Sequence, residues 1–164
     1  MTTFFDIRDE YNKKGEVLIA TDIENGEKFI LNENIASPQI TDYNGKKCFI
    51  EKLMDKTKIV VAGAGHVSMD FAKVAEILGF DLIIIDDRAE FANSERFPNA
   101  QIICGNIGES LKADFGKNVY YVIMTRGHKD DYEALKTILS KEYKYVGMIG
   151  SRKKVAFVKD KLKN

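Results

Sequence analysis

Cysteine is scarce in this chain: Cys48 and Cys104 are the only two, far apart and in no Cys-x-x-Cys pair. That excludes a disulfide framework and argues against a zinc site or a thioredoxin-like redox motif. A charge excess is missing too. Lys+Arg and Asp+Glu number 25 each, so neither nucleic acid nor an anionic membrane has an electrostatic reason to bind. No apolar run approaches the roughly 20 residues needed to cross a bilayer. Residues 1–6 have no basic stretch leading into an apolar one, so no signal peptide is expected and the cytoplasm is the default location. What is present, over 164 residues, is 45% hydrophobic and 30% charged. That is an ordinary globular composition, able to bury a core without disulfides or metals.

The chain changes character near residue 58. Before it, residues 4–13 read as a short polar helix. Val17-Leu18-Ile19-Ala20 and Phe29-Ile30-Leu31 are short apolar runs separated by a turn signal at Asn25-Gly26. Lys47-Cys48-Phe49-Ile50-Glu51 is another candidate strand, following the turn-like Asn44-Gly45. Residues 1–57 therefore read as a small β-rich appendage, without internal repeat or low-complexity segment.

From Lys58 on, strands and helices alternate. Lys58-Ile59-Val60-Val61-Ala62 is a continuous apolar run, as expected of a strand covered on both faces. A helix follows, with Val67, Phe71, Val74 and Leu78 on one face and Gly79 as its stop. Further strands are expected at Leu82-Ile83-Ile84-Ile85, at Gln101-Ile102-Ile103-Cys104, at Tyr120 to Met124 and at Tyr145 to Ile149. Tyr132, Leu135, Ile138 and Leu139 mark a second helix face, and Val155, Val158 and Leu162 a terminal one. The alternation predicts a Rossmann-type doubly wound parallel sheet over residues 58–164, in strand order 3-2-1-4-5.

Gly63-Ala64-Gly65-His66-Val67-Ser68 lies between the first of these strands and its helix. The first glycine permits a tight turn, and the second lets backbone amides approach a pyrophosphate at the positive end of the helix. Ser68 is small enough for close helix–strand packing at the third position. Asp86 ends the next strand, about 20 residues on, where an acid can bind ribose hydroxyls. An Asp there favours NAD over NADP, and Arg88 can reverse that choice by pairing with a 2′-phosphate. Asp87 and Arg88 read otherwise as a solvated loop.

Two more segments belong to the same sheet edge. Thr125-Arg126-Gly127-His128-Lys129 follows the fourth strand, at the switch point. Gly150-Ser151-Arg152-Lys153-Lys154 follows the fifth and opens a helix with a basic start. Donors and a helix dipole together suit an anion. The plainer readings are a turn hydrogen bond for His66, an N-cap for Ser151 and a solvated face for the basic residues.

These segments, with Val61 to Val67, Asp86 to Phe91, Glu95-Arg96-Phe97-Pro98, Thr125 to Asp130 and Gly147 to Lys154 in order, resemble the xanthine dehydrogenase accessory protein family (XdhC/CoxI). The match runs from about Phe49 to the end. The resemblance implies a Rossmann domain of a molybdenum-enzyme maturation factor. Such a factor binds molybdenum cofactor (molybdopterin), assists its sulfuration, and hands it to xanthine dehydrogenase or a related hydroxylase. It also implies a homodimer. Family members carry a longer N-terminal domain with a glycine-rich, cysteine-containing segment, and no Gly-Gly run precedes Phe49 here. Other readings stay open: an NAD- or NADP-dependent oxidoreductase, or a nucleotide-sensing regulatory domain.

Overall fold

The computed structural model describes residues 2–32, 38–54 and 56–163. The chain divides into two compact units, Met1–Asp55 and Lys56–Asn164, close to the break expected after residue 57.

In the first unit, α1 (Phe4–Lys14) starts at a capping box. The Thr3 hydroxyl accepts the Asp6 N–H, and the Asp6 carboxylate accepts the Thr3 N–H at 2.7 Å. Gly15 ends the helix. The strands β1 (Glu16–Asp22), β2 (Lys28–Leu31), β3 (Gln39–Tyr43) and β4 (Lys46–Met54) form an antiparallel sheet in order β2-β1-β4-β3. The strand β3 is an addition to the sequence reading, because Gln39-Ile40-Thr41-Asp42-Tyr43 has no apolar run. What places it is the hairpin at Asn44 (φ 51°) and Gly45 (φ 74°), a two-residue turn with both centres left-handed. The Asn25-Gly26 signal also sits in a turn, within the longer loop over residues 23–26, which closes through the Asp22 N–H to Glu27 O at 2.8 Å. Leu18, Ala20, Leu31, Cys48 and Ile50 form one small core, and Ile7, Val17 and Ile19 another. Burial pushes the Cys48 thiol pKa up, so this cysteine serves as a packed apolar residue.

The second unit is the α/β domain. Its elements run β5 (Lys58–Ala62), α2 (His66–Ile77), β6 (Asp81–Asp86), β7 (Gln101–Cys104), α3 (Ile107–Ser110), β8 (Val119–Ile123), α4 (His128–Leu139), β9 (Tyr145–Met148) and α5 (Arg152–Lys163). All strand pairs are parallel, in the order β7-β6-β5-β8-β9, which is the doubly wound order. Because successive side chains face opposite ways, β5 and β6 feed two cores. Val60, Ala62, Ile83 and Ile85 pack with Tyr121, Leu111 and Ile138. Ile59, Val61, Leu82 and Ile84 pack with Ala72, Ala75 and Phe97. Among the described residues, no helix is long and apolar enough to cross a membrane.

The structure corrects the reading of α2. Val67, Val74 and Leu78 are exposed, and Ser68, Ala72 and Ala75 face the sheet instead. A helix that hugs the sheet beside a glycine loop needs small residues at the contact. Phe71 packs partly against that core as expected, together with Met69, while Val67, Val74 and Leu78 end up on the outer side. In α4 Ile138 and Leu135 face the core as expected, joined by Ala134, whereas Leu139 is about half exposed.

Gly63 sets the join between sheet and loop. Its φ is +110°, and a Cβ built there would lie 2.5 Å from the Met124 carbonyl oxygen. Gly63→Ala combines left-handed strain with a clash against backbone, and we expect it to destabilise the domain by about 2–3 kcal/mol. Gly65→Ala, with ordinary φ and open space around its Cβ, should stay within about 1 kcal/mol of the parent. Urea unfolding midpoints of the two variants check this, and equal losses would show that the close approach is not what Gly63 serves.

Candidate glycine-loop site at the sheet switch point

The loop Gly63–Ser68 leaves β5 next to β8, where the strand order reverses. It is held from three sides. The Gly63 N–H donates to Ile85 O at 2.7 Å, the Met124 N–H donates to Ala62 O at 2.8 Å, and the buried Ser68 hydroxyl donates to Gly63 O at 2.6 Å. Ser68 thus occupies the third position as expected and also fastens the turn. Gly65 caps α2 without a side-chain hydrogen bond, and the first turn carries no acidic residue. An uncapped helix start leaves its leading N–H groups without intrahelical acceptors, at the positive end of the dipole. Nothing lies within 4 Å of a Cβ placed on Gly65, so the approach to those amides is open. His66 and Val67 are exposed beside it.

Asp86 is at the expected end of β6, but it is not a free ribose acceptor. Its Oδ2 accepts the Ala64 N–H and Arg88 Nη2, and its Oδ1 accepts the Arg88 N–H and Nε, with three of the four at 2.8 Å and the Arg88 N–H at 3.1 Å. Only 1% of Asp86 is exposed. Burial works against its charge most strongly. The Arg88 side chain, then the Ala64 and Arg88 backbone N–H groups, outweigh that and hold the carboxyl at about 2. Arg88 in turn lies 3.9 Å from the Phe91 ring centroid. It is therefore part of a fixed cluster, which corrects the solvated-loop reading for Arg88. Asp87 does remain open, with its side chain 55% exposed.

Arg96 was not among the expected site residues. Its Nη2 donates to Ala64 O at 3.2 Å, and its guanidinium lies 5.0 Å from the same Phe91 ring. Its Nε is buried without a hydrogen-bond partner among the described residues. A signal existed, because Arg96 precedes the wholly buried Phe97 that folds this turn onto the sheet, but only the fold places it at the glycine loop.

The switch-point loop after β8 meets the start of α5. The Thr125 hydroxyl donates to the buried Asp131 at 2.6 Å, Lys154 Nζ lies 2.6 Å from Asp131 Oδ2, and the same Nζ donates to Thr125 O at 2.7 Å. Lys154 is 8% exposed, and burial pushes its pKa down. It is a structural tie and not a ligand cation, which removes one charge from the expected anion site. Gly150 makes room for it, since a Cβ there would meet Lys154 Cδ at 2.8 Å. Ser151 caps α5 through its hydroxyl, accepting the Lys154 N–H at 3.3 Å. Arg126, His128, Lys129, Arg152 and Lys153 remain exposed, and the His128 ring lies 5.4 Å from that of Phe157 on α5. Gly127 caps α4, again without a side-chain hydrogen bond. The described residues hold no group of three or more His, Cys, Asp or Glu placed to bind a metal ion.

A five-stranded parallel sheet with an open glycine loop at its switch point defines a Rossmann-type domain. The family model for the XdhC Rossmann domain matches residues 59–164, and the chain belongs to that family. Over 103 residues it is 31% identical to the uncharacterized protein YqeB of Escherichia coli (strain K12), covering 61% of this chain and 19% of that protein. Over 105 residues it is 26% identical to a probable xanthine dehydrogenase subunit of Bacillus subtilis (strain 168), covering 63% of this chain and 32% of that one. The chain thus spans a third or less of these relatives' length. A crystal structure of a xanthine dehydrogenase from Bacillus halodurans has the same fold, with TM-score 0.71 and 20% identity over 93% of this chain and 53% of that one.

Two stability tests follow from the buried charges. A carboxyl held at about 2, against an ordinary 3.8, stabilises the fold above about pH 4 and loses that contribution as pH falls toward 2, an effect of about 2 kcal/mol. Urea midpoints between those pH values should fall less steeply in Asp86→Asn, and identical slopes would mean that the group does not titrate there. Lys154→Met strands Asp131 without its cation and should cost about 3 kcal/mol, much of it regained in the double variant with Asp131→Leu. A double variant no more stable than Lys154→Met would show that the pair is not the cause.

Proposed function

We propose that this chain is a nucleotide-binding accessory protein serving the maturation of xanthine dehydrogenase or a related molybdenum hydroxylase. The observation that carries the ligand part is the uncapped start of α2 behind Gly65, with nothing within 4 Å of that glycine's Cβ position. Backbone amides and a helix dipole facing open space suit a phosphate or pyrophosphate. NAD and NADP present that group, and the phosphate of molybdenum cofactor presents it too. The residues that would receive it are Gly65, His66 and Val67 through their backbone, with Arg152 and Lys153 exposed at the same carboxyl edge of the sheet. The accessory part rests on family membership and on the Bacillus subtilis relative, named as a probable xanthine dehydrogenase subunit.

A protein of this kind works by holding and handing over. Its chemistry is recognition of the phosphate, exclusion of competing ligands and contact with the client enzyme, as a homodimer that meets the hydroxylase transiently. Gly65→Val places a branched side chain where the phosphate would sit. It should abolish binding of NAD, NADP and phosphate-bearing pterin while leaving the thermal unfolding temperature within a few degrees of the parent. Calorimetric titration tests this, and mass spectrometry of small molecules released from the purified protein identifies the natural occupant. Undiminished affinity in Gly65→Val would reduce the loop to a turn. Capture of the hydroxylase by the tagged chain tests the second part, and turnover of a nicotinamide by the chain alone would replace it with an oxidoreductase.

A further inference from the structure

We propose that Arg88 sets ligand choice at the glycine loop, selecting a nucleotide with a phosphomonoester on its adenosine ribose over one with a free ribose diol. The proposal deepens the nucleotide-binding reading above and rests on it. A ribose diol donates two hydrogen bonds and needs acceptors at the end of β6. Asp86 has none to spare. A carboxylate has about four lone-pair sites, and here Ala64 N–H, Arg88 N–H, Arg88 Nε and Arg88 Nη2 take all four. Arg88 does not leave easily, because Asp86 holds the edge of its guanidinium and the Phe91 ring lies against its face at 3.9 Å.

What the cluster has left over is therefore donor capacity and positive charge. Arg88 Nη1 has no acceptor among the described residues. Arg96 brings a second guanidinium to the same aromatic ring, tied by Nη2 to Ala64 O and with its Nε buried, so it adds positive charge to the cluster. A phosphomonoester is an acceptor-only dianion, and a planar guanidinium fork matches its oxygens better than a hydroxyl pair can. The opposing charge is Asp87, whose Oδ1 lies 3.9 Å from Arg88 Nε. Being mostly solvated, it weakens the attraction without cancelling it. In this cluster Asp86 shapes the loop through Ala64, and Arg88 reads the ligand.

The test is calorimetric titration of the whole chain and its Arg88→Ala, Arg88→Lys and Asp87→Asn variants with NAD and NADP, with adenosine 2′-monophosphate and adenosine as competitors. The parent should bind NADP at least about tenfold more tightly than NAD, a difference of about 1.4 kcal/mol. In Arg88→Ala the two should come within about twofold, chiefly through loss of NADP affinity. Arg88→Lys, which keeps a cation beside Asp86 for folding, should retain only part of the preference. It carries the test should Arg88→Ala fail to fold. Asp87→Asn should tighten NADP and leave NAD unchanged. Lowering pH from about 7.5 to about 5.5 should shrink the preference, because the phosphomonoester loses its second charge near pH 6. Adenosine 2′-monophosphate should compete with NADP more strongly than adenosine in the parent and no more strongly in Arg88→Ala, whereas an advantage of the phosphate that survives in Arg88→Ala would place the anion elsewhere and overturn the proposal. Binding of both dinucleotides with no NADP preference, or a full preference surviving in both Arg88 variants, also overturns it and leaves the nucleotide reading standing. Binding of neither dinucleotide overturns both.

Discussion

At the carboxyl end of β6, one carboxylate joins the parts that make the candidate site. Asp86 accepts the Ala64 N–H from the glycine loop and holds Arg88 through Nε and Nη2, one edge of its guanidinium, while 99% hidden from solvent. A buried charge of this kind survives only when every lone pair is met. The constraint therefore propagates outward. The loop must turn back far enough for Ala64 to donate, which requires Gly63 at φ +110° against the Met124 carbonyl. The chain after β6 must curl so that Arg88 returns to the acid and stacks on Phe91. Arg96 then closes the same turn onto Ala64 O.

The second buried charge pair does for β8 what Asp86 does for β5 and β6. Lys154, from the first turn of α5, reaches back to Asp131 on α4 and to the Thr125 carbonyl. Three segments from one sheet edge thereby hold a single arrangement, since either partner alone would be an uncompensated charge. The exposed cations on either side, Arg126, Lys129, Arg152 and Lys153, are anchored at their roots and free at their tips.

Much of the α/β unit is legible in the order of residues. The apolar runs at Lys58–Ala62 and Gln101–Cys104 coincide with β5 and β7, and the glycine pattern with Asp86 marks the loop and its acid. These are local signals: a strand buried on both faces is continuously apolar, and a phosphate loop needs glycine. The sequence misleads where apolar residues do not face the core. Val67, Val74 and Leu78 make the stronger stripe on α2, yet the sheet takes the small Ser68, Ala72 and Ala75, because closeness and not hydrophobicity governs that contact. The strand β3, polar and on the rim of its sheet, carries almost no periodic signal.

In the α/β unit the sequence by itself determined the order of the strands, the parallel doubly wound topology, the glycine loop and its family. Each of these rests on patterns within a few residues. The tertiary structure alone decided which charges are spent and which are available. Asp86 and Arg88 stand two apart in sequence and could as well have been two separate ligands. Arg96 lies 32 residues from the carbonyl it meets, and Lys154 lies 29 from its own. Whether a side chain has a lone pair or an N–H left for a ligand depends on neighbours brought in from other strands, and that count exists only once the sheet has closed them together.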